Sequence, residues 1–342
     1  MKIQTIAWKK NQIKIIDQTK LPGELRYAYI KNVAQLFDAI KSMKIRGAPA
    51  LAAAGALGVV LAAYKSRARN NRQLKRKLEQ VIQYLGRSRP TAVNLFWALD
   101  RMRKVIDNNS NNSTERIKSA LLKEAREIMK EDRITCRKIA EVGSRLIKDG
   151  DSILTICNAG ILATIDYGTA LGVIYRAKEQ GKKFKVYACE TRPLFQGARL
   201  TIWELKKKGI DTTLICDSLA ATQMRKKQIT KVFVGADRIA RNGDAANKVG
   251  TYNLAVLANW HGIPFYIVAP LSTFDAAIKT GNDIPIEQRS PFEVTHNFFK
   301  KPIAPAGVRV LNPAFDITPH KLITAIITEK GILRPPYKSR LR

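Results

Sequence analysis

The apolar positions of this 342-residue chain follow two rhythms. Two short alternating runs come first, IQTIAW at residues 3–8 and IKIIDQ at 13–18. The polar turn Lys9-Lys10-Asn11-Gln12 separates them, and together they predict a small hairpin. From Asn32 to about Gly150 the spacing becomes helical, as in Leu36, Ile40 and Met43 and later Leu121, Leu122, Ile128 and Met129, with no strand signal between. Asn112, followed three residues later by Glu115, predicts a capping box for the helix after the polar run 108–113. Gly47 to Tyr64 is an 18-residue stretch without a charge, which touches the lower limit for a membrane span. It is rich in Ala and Gly and begins at Pro49, so a buried helix is expected instead.

After Asp151 the pattern changes to continuous apolar runs alternating with helical spacing. SILTIC (152–157) precedes a helix over 167–179, and FKVYACE (184–190) precedes one over 198–207. TTLICD (212–217), KVFVGAD (231–237) and PFYIVAP (264–270) continue the series, each but the last followed by helical spacing. Such alternation predicts an α/β domain whose parallel sheet is covered on both faces. Pro285, Pro291, Pro302, Pro305 and Pro313 mark an irregular excursion of the kind that forms lids. A last helix is expected over 318–329, then a basic tail at 338–342.

Length alone points to two domains or one large α/β unit. Sixty Lys and Arg against 28 Asp and Glu leave a net charge of +32, which invites a nucleic-acid reading. The densest cluster, Lys65, Arg67, Arg69, Arg72, Lys75, Arg76 and Lys77, has no interleaved aromatic residues for base stacking. A solvated face is therefore expected, with no specific nucleic-acid site and no membrane association. Four cysteines without a C-x-x-C pair, and an N-terminus without an apolar signal region, predict a reduced, cytoplasmic setting. His261, His296 and His320 lack ligand spacing, so no metal is expected, and the absence of G-x-G-x-x-G or a Walker loop argues against a nucleotide site.

Ligands of parallel sheets bind at the carboxyl ends of the strands. The chemistry is thus sought at Cys157-Asn158-Ala159-Gly160, Glu190-Thr191-Arg192-Pro193, Asp217-Ser218 and Asp237-Arg238, four loops expected to face one cleft. Cys157 reads either as an acid/base thiol or as a small buried hydrophobe. Asp237 reads as a proton donor, a helix cap or an ion-pair partner of Arg238. Arg46-Gly47-Ala48-Pro49 opens the uncharged helix with free amides suited to an anion, and Arg87-Ser88-Arg89-Pro90-Thr91 opens the next by the same device. Lys248 beside Gly250 reads as a phosphate ligand or a solvated charge.

Taken together, Arg46 to Ala50, Ser88 to Asn94, Cys157 to Gly160, Glu190 to Pro193 with Gln196 to Leu200, Gly235 to Ile239 and Asn247 to Tyr252 resemble the methylthioribose-1-phosphate isomerase family. The likeness runs from the hairpin to Asn312-Pro313-Ala314-Phe315-Asp316 and Glu329 to Leu333; Ile156 and Leu194-Phe195 depart from the pattern. That family is related to ribose-1,5-bisphosphate isomerases and to regulatory subunits of the eukaryotic initiation-factor exchange complex, which remain the alternatives. The resemblance implies a small N-terminal hairpin-plus-helical domain (1–125) followed by a Rossmann-like parallel-sheet domain (126–342), with the site in a cleft between them. It implies aldose–ketose isomerisation of a sugar phosphate without metal or cofactor, in a homodimer. Asp237 and Cys157 would be catalytic. Arg46, Gly47, Ala48, Arg89, Gln196, Asn247 and Lys248 would bind substrate.

Overall fold

A computed structural model describes residues 3–337, so the basic tail at 338–342 lies outside the described residues. The chain divides into two compact units: residues up to Arg137 with Gly160–Gly168, and Lys138–Ala159 with the chain from Thr169 onward.

The first unit begins with β1 (Ile6–Lys9), β2 (Gln12–Ile16) and β3 (Tyr27–Ile30), an antiparallel sheet in that order. The expected hairpin is present and gains a third strand, because β2 pairs on both edges, Ile13 opposite Trp8 and Ile30. Then come α1 (Val33–Lys41), α2 (Ala48–Tyr64), α3 (Asn71–Gly86), α4 (Val93–Asn108) and α5 (Thr114–Ser144). Asn32 and Asn70 cap α1 and α3 by accepting from Gln35 N and Gln73 N. The cap expected at Asn112 falls one residue later: Ser113 Oγ accepts from Arg116 N, and Asn112 instead donates to Asn109 Oδ1. Helix α5 runs unbroken through residue 125, and the compact units divide further on, at Arg137.

The uncharged run forms α2, buried from Ala50 to Ala63 among Ile6, Ile13, Leu36, Leu85 and Leu95. Its 17 residues span about 25 Å, and among the described residues no helix is long and apolar enough to cross a membrane. The seven cations of the densest cluster are all exposed on α3 and the loop before it.

The second unit is a mixed α/β structure. After α5 it comprises β4 (Ser152–Thr155), α6 (Ala170–Glu179), β5 (Lys185–Cys189), α7 (Ile202–Lys207), β6 (Thr212–Ile215), α8 (Ala220–Arg225) and β7 (Lys231–Val234). Next are β8 (Arg238–Ala240), β9 (Ala245–Lys248), α9 (Thr251–Trp260), β10 (Phe265–Val268), β11 (Phe274–Asp275) and α10 (Phe292–Thr295). The end is β12 (Phe315–Thr318), β13 (Ala325–Thr328) and β14 (Gly331–Leu333). The main sheet has the order β14-β13-β10-β7-β4-β5-β6, parallel except for β14. Starting at β4, the chain builds outward through β5 and β6, then returns to lay β7 on the other side of β4. The topological switch point therefore lies between β4 and β7.

Three expectations are corrected here. The helix expected to start at 167 starts at Ala170, because 160–168 first leaves to pack with the first unit; Thr169 N then returns to Ala159 O. The helical spacing expected directly after KVFVGAD is preceded by the β8–β9 hairpin, part of a second sheet ordered β11-β8-β9-β12. The last helix is instead β13, paired parallel to β10 and joined to β14. Ala325, Ile326 and Ile327 are buried on both faces, and a short run of that kind cannot be told from a buried helix by periodicity.

Candidate active site at the carboxyl edge of the parallel sheet

In the first unit, Gly47 starts α2 at φ +95, and a Cβ there would stand 2.4 Å from Ala163 Cα and O. Only glycine lets the Arg46-Gly47-Ala48 turn lie flat against the 160–168 segment. Arg46 is buried; its Nε donates to Gln18 Oε1, and Gln18 Nε2 donates to Leu162 O. Arg89 is buried as well, with Nη1 against Met43 Sδ, so both guanidinium groups belong to the neighbourhood of the loop before α2. Arg89 does not open a helix: α4 starts at Val93 with Ala92 as a cap that has no side-chain bond. It follows the turn at the end of α3, where Ser88 Oγ donates to Leu85 O.

In the second unit, Cys157 leaves β4 and Asp237 leaves β7, on the two sides of the switch point. Their loops touch: a Cβ on Gly235 would come 3.0 Å from Ala159 Cβ. Both side chains are half-buried. Cys157 has φ +62, unusual for a residue with a side chain, and the adjacent β5 exit holds two more such residues, Thr191 at +68 and Phe195 at +53. Conformations of this kind persist where surrounding contacts over-determine them, and they cluster at functional sites.

Arg238 Nη1 lies 3.7 Å from Asp275. The helix-cap reading of Asp237 does not hold, because β8 follows it rather than a helix. Instead Asp237 N donates to Ala246 O, so the β8–β9 hairpin sets Asp237 beside the strand that carries Asn247 and Lys248. Asn247 Nδ2 donates to Thr251 Oγ1. Lys248 is buried, not solvated: Nζ donates to Ala314 O and lies 4.8 Å from the centre of the Phe315 ring. Gln196, just before the π-helical turn Gly197–Thr201 that follows β5, is buried with Oε1 lacking a hydrogen-bond partner. An orphan acceptor of that kind is costly unless a ligand donor fills it.

Asp316 completes this edge. From β12 its carboxylate accepts from Gly250 N and Tyr252 N, capping α9 where the chain leaves Lys248. Burial pushes its carboxyl up to about 6 from 3.8, against the pull of those two amides and Lys248. A carboxyl raised on folding stabilises the folded state fully below pH 3.8, and that contribution is lost as pH rises through 6. Unfolding free energy should thus fall between pH 4 and 6, with Asp316 supplying at most about 3 kcal/mol because it keeps some contact with water. Asp316→Asn should flatten that slope in urea titrations; an unchanged slope would remove Asp316 as its source.

Cys189 ends β5 and burial pushes its thiol far up, while Cys136 is likewise buried in α5 and raised. Neither is a reactive thiol. Among the described residues no cluster of three His, Cys, Asp or Glu could hold a metal ion. Spacing does not reveal Thr201 or Glu204, both fully buried near Cys157, and gives Thr191 only as part of a strand-exit loop. Their partners lie tens of residues away, and short-range spacing carries no sign of them.

Residues 44–335 match the model described as the Initiation factor 2 subunit family. Among curated relatives, a methylthioribose-1-phosphate isomerase 1 from Pseudothermotoga lettingae is 53% identical over 99% of this chain and 97% of its own length. A 5-deoxyribose 1-phosphate isomerase from Moorella thermoacetica is 52% identical over 99% of this chain and 96% of its own. Among solved structures, 5-methylthioribose 1-phosphate isomerase from Pyrococcus horikoshii has a TM-score of 0.91 at 44% identity, covering 99% of this chain and 94% of that one. A structure titled translation initiation factor eIF-2B, subunit delta, from A. fulgidus has a TM-score of 0.87 at 48% identity, covering 98% and 97%.

Proposed function

The chain belongs to the Initiation factor 2 subunit family, and from that membership we propose that it is a sugar-phosphate isomerase. It converts 5-methylthio-α-D-ribose 1-phosphate to 5-methylthio-D-ribulose 1-phosphate, the aldose–ketose step of methionine salvage. The observation that carries the reading is Cys157 and Asp237 at the exits of the two strands flanking the switch point, in a chain about half identical, end to end, to proteins named for this reaction. A two-part arrangement, with a small hairpin-plus-helical domain ahead of a Rossmann-like one, a homodimeric state and a cytoplasmic setting belong to the same reading.

With phosphate on the anomeric oxygen the sugar has no free aldehyde, so the ring must open before hydrogen leaves C2. Asp237 donates a proton to the ring oxygen as the C1–O4 bond breaks. Cys157 takes the C2 proton, and the C–H electron pair forms the C1–C2 double bond of an enol phosphate. Returning a proton to C1 while the C2 hydroxyl loses its own to Asp237 gives the ketose, with no net gain or loss of protons. If hydrogen moves instead as hydride from C2 to C1, Cys157 stabilises that transition state. Arg46, the amides of Gly47 and Ala48, Arg89 and Lys248 bind phosphate and hydroxyls, and Gln196 and Asn247 orient the sugar. The net charge of +32 adds a background field that favours an anionic sugar.

The two isomerase names among the curated relatives share a 1-phosphate and an apolar group at C5. That favours an apolar C5 pocket over the second anion site a 1,5-bisphosphate needs. The initiation-factor title of one close structure keeps a non-catalytic reading as the second one. Rates on methylthioribose 1-phosphate, 5-deoxyribose 1-phosphate and ribose 1,5-bisphosphate in one assay decide between them. The first two should be turned over, with kcat/KM at least about tenfold above the bisphosphate, since a buried pocket discriminates strongly against an unpaired charge. Preference for the bisphosphate would make this a bisphosphate isomerase, and no turnover of any would favour the regulatory reading.

A further inference from the structure

We propose that Thr191 and Thr201 form a hydroxyl clamp that holds the backbone of Cys157 in its left-handed conformation and so aims the thiol. This rests on Cys157 acting as proposed above. Thr191 Oγ1 accepts from Cys157 N at 2.8 Å, and Thr201 Oγ1 donates to Cys157 O at 2.6 Å, so the peptide groups on both sides of the residue are tied. Both threonines are fully buried, which leaves no water to replace either bond.

The direction of each hydroxyl is set by its other partner. A hydroxyl has one proton to give. Thr191 gives its proton to Cys189 O at 3.0 Å, which leaves its lone pair for Cys157 N–H. Thr201 accepts from Asn158 Nδ2 at 3.2 Å, which leaves its proton for Cys157 O. Asn158 is fixed in turn, because the same amide donates to Glu204 Oε1 at 2.8 Å, and Tyr175 donates to Glu204 Oε2 at 2.7 Å. From the third strand exit, Asp217 accepts from Thr191 N and Arg192 N, both at 2.8 Å, and holds the β5 loop that carries Thr191.

Backbone geometry adds the reason Thr201 can reach. It ends the single π-helical turn Gly197–Thr201, a local widening that occurs in helices mostly at functional sites. The clamp thus offsets the cost of φ +62 with bonds drawn from three neighbouring strand exits. Thr191 and Thr201 are positioning residues: neither is assigned to the substrate.

The test uses Thr201→Val and Thr191→Val, near-isosteres that remove only the hydroxyl, with Thr201→Ser as the conservative control. Two readouts are taken on each folded protein: kcat and KM on methylthioribose 1-phosphate, and the rate at which iodoacetamide alkylates Cys157, read by peptide mass spectrometry. Both valine variants should lose about 10–100-fold in kcat with KM changed less than threefold, as for a small misplacement of a reacting group. Their alkylation rates should change at least threefold, and Thr201→Ser should restore both readouts. Wild-type kcat and alkylation rate in a folded valine variant would overturn the clamp, as would failure of the serine variant to rescue. If Thr201→Val does not fold, Thr191→Val alone decides. Alkylation needs no substrate, so an inactive wild type would end the isomerase reading while the alkylation rates still decide the clamp.

Discussion

Asp237→Asn and Cys157→Ala each lower turnover of methylthioribose 1-phosphate by about 10²–10⁴-fold, the usual contribution of a positioned acid or base. The far-ultraviolet circular dichroism stays that of the wild type. The reason the fold should survive is that both side chains are half-buried at strand exits, and the backbone bonds of both residues remain in the variants. Asp237 N still donates to Ala246 O in the asparagine variant, and Cys157 stays tied at both peptide groups when its sulfur is gone. The two losses should not multiply in the double variant, because both residues exchange protons in the enol-to-ketose step. Wild-type turnover in both single variants would remove them from the chemistry.

Gly197→Ala is the substitution with the largest expected effect on stability. A Cβ at 197 would stand 1.7 Å from Cys189 O, 2.8 Å from Thr191 Oγ1 and 2.9 Å from Cys189 C. The nearest obstacle is the backbone of β5, an inner strand paired with β4 and β6 on its two sides, so it cannot yield as a long side chain would. Relief requires the π-helical turn to back away from the sheet, which pulls Thr201 from Cys157 O and Glu204 from Asn158. Overpacking of this kind costs about 3 kcal/mol or more, a fall of roughly 4 °C or more in Tm for a chain of this size. Differential scanning calorimetry measures it, and a Tm within 2 °C of wild type would mean the turn is free to move.

Some of this was legible because the physics is local. An uncharged Ala-rich run behind a proline can only be buried, and α2 is. Alternating apolar runs and helices announce a parallel sheet, and the rule that ligands sit at its carboxyl edge points to four loops, those of Cys157 and Asp237 among them. What spacing could not supply was the order of the strands, and it is the return of β7 to the side of β4 that makes those two exits neighbours. Nor could it separate strand from helix at 325–328, where burial on both faces erases periodicity. Spacing alone cannot tell a solvated Lys248 from a buried one, because its acceptor, Ala314 O, is 66 residues away. The clamp on Cys157 was invisible for the same reason: threonine is the least distinctive of polar residues until its partners are known, and these come from segments 34 and 44 residues distant.

The most direct measurement follows methylthioribose 1-phosphate labelled with ¹³C at C2 during incubation with the purified protein. A ketone carbonyl resonance growing at the expense of the secondary-alcohol carbon is the predicted result. A substrate whose C2 resonance stays unchanged at substoichiometric and at equimolar protein would contradict the account.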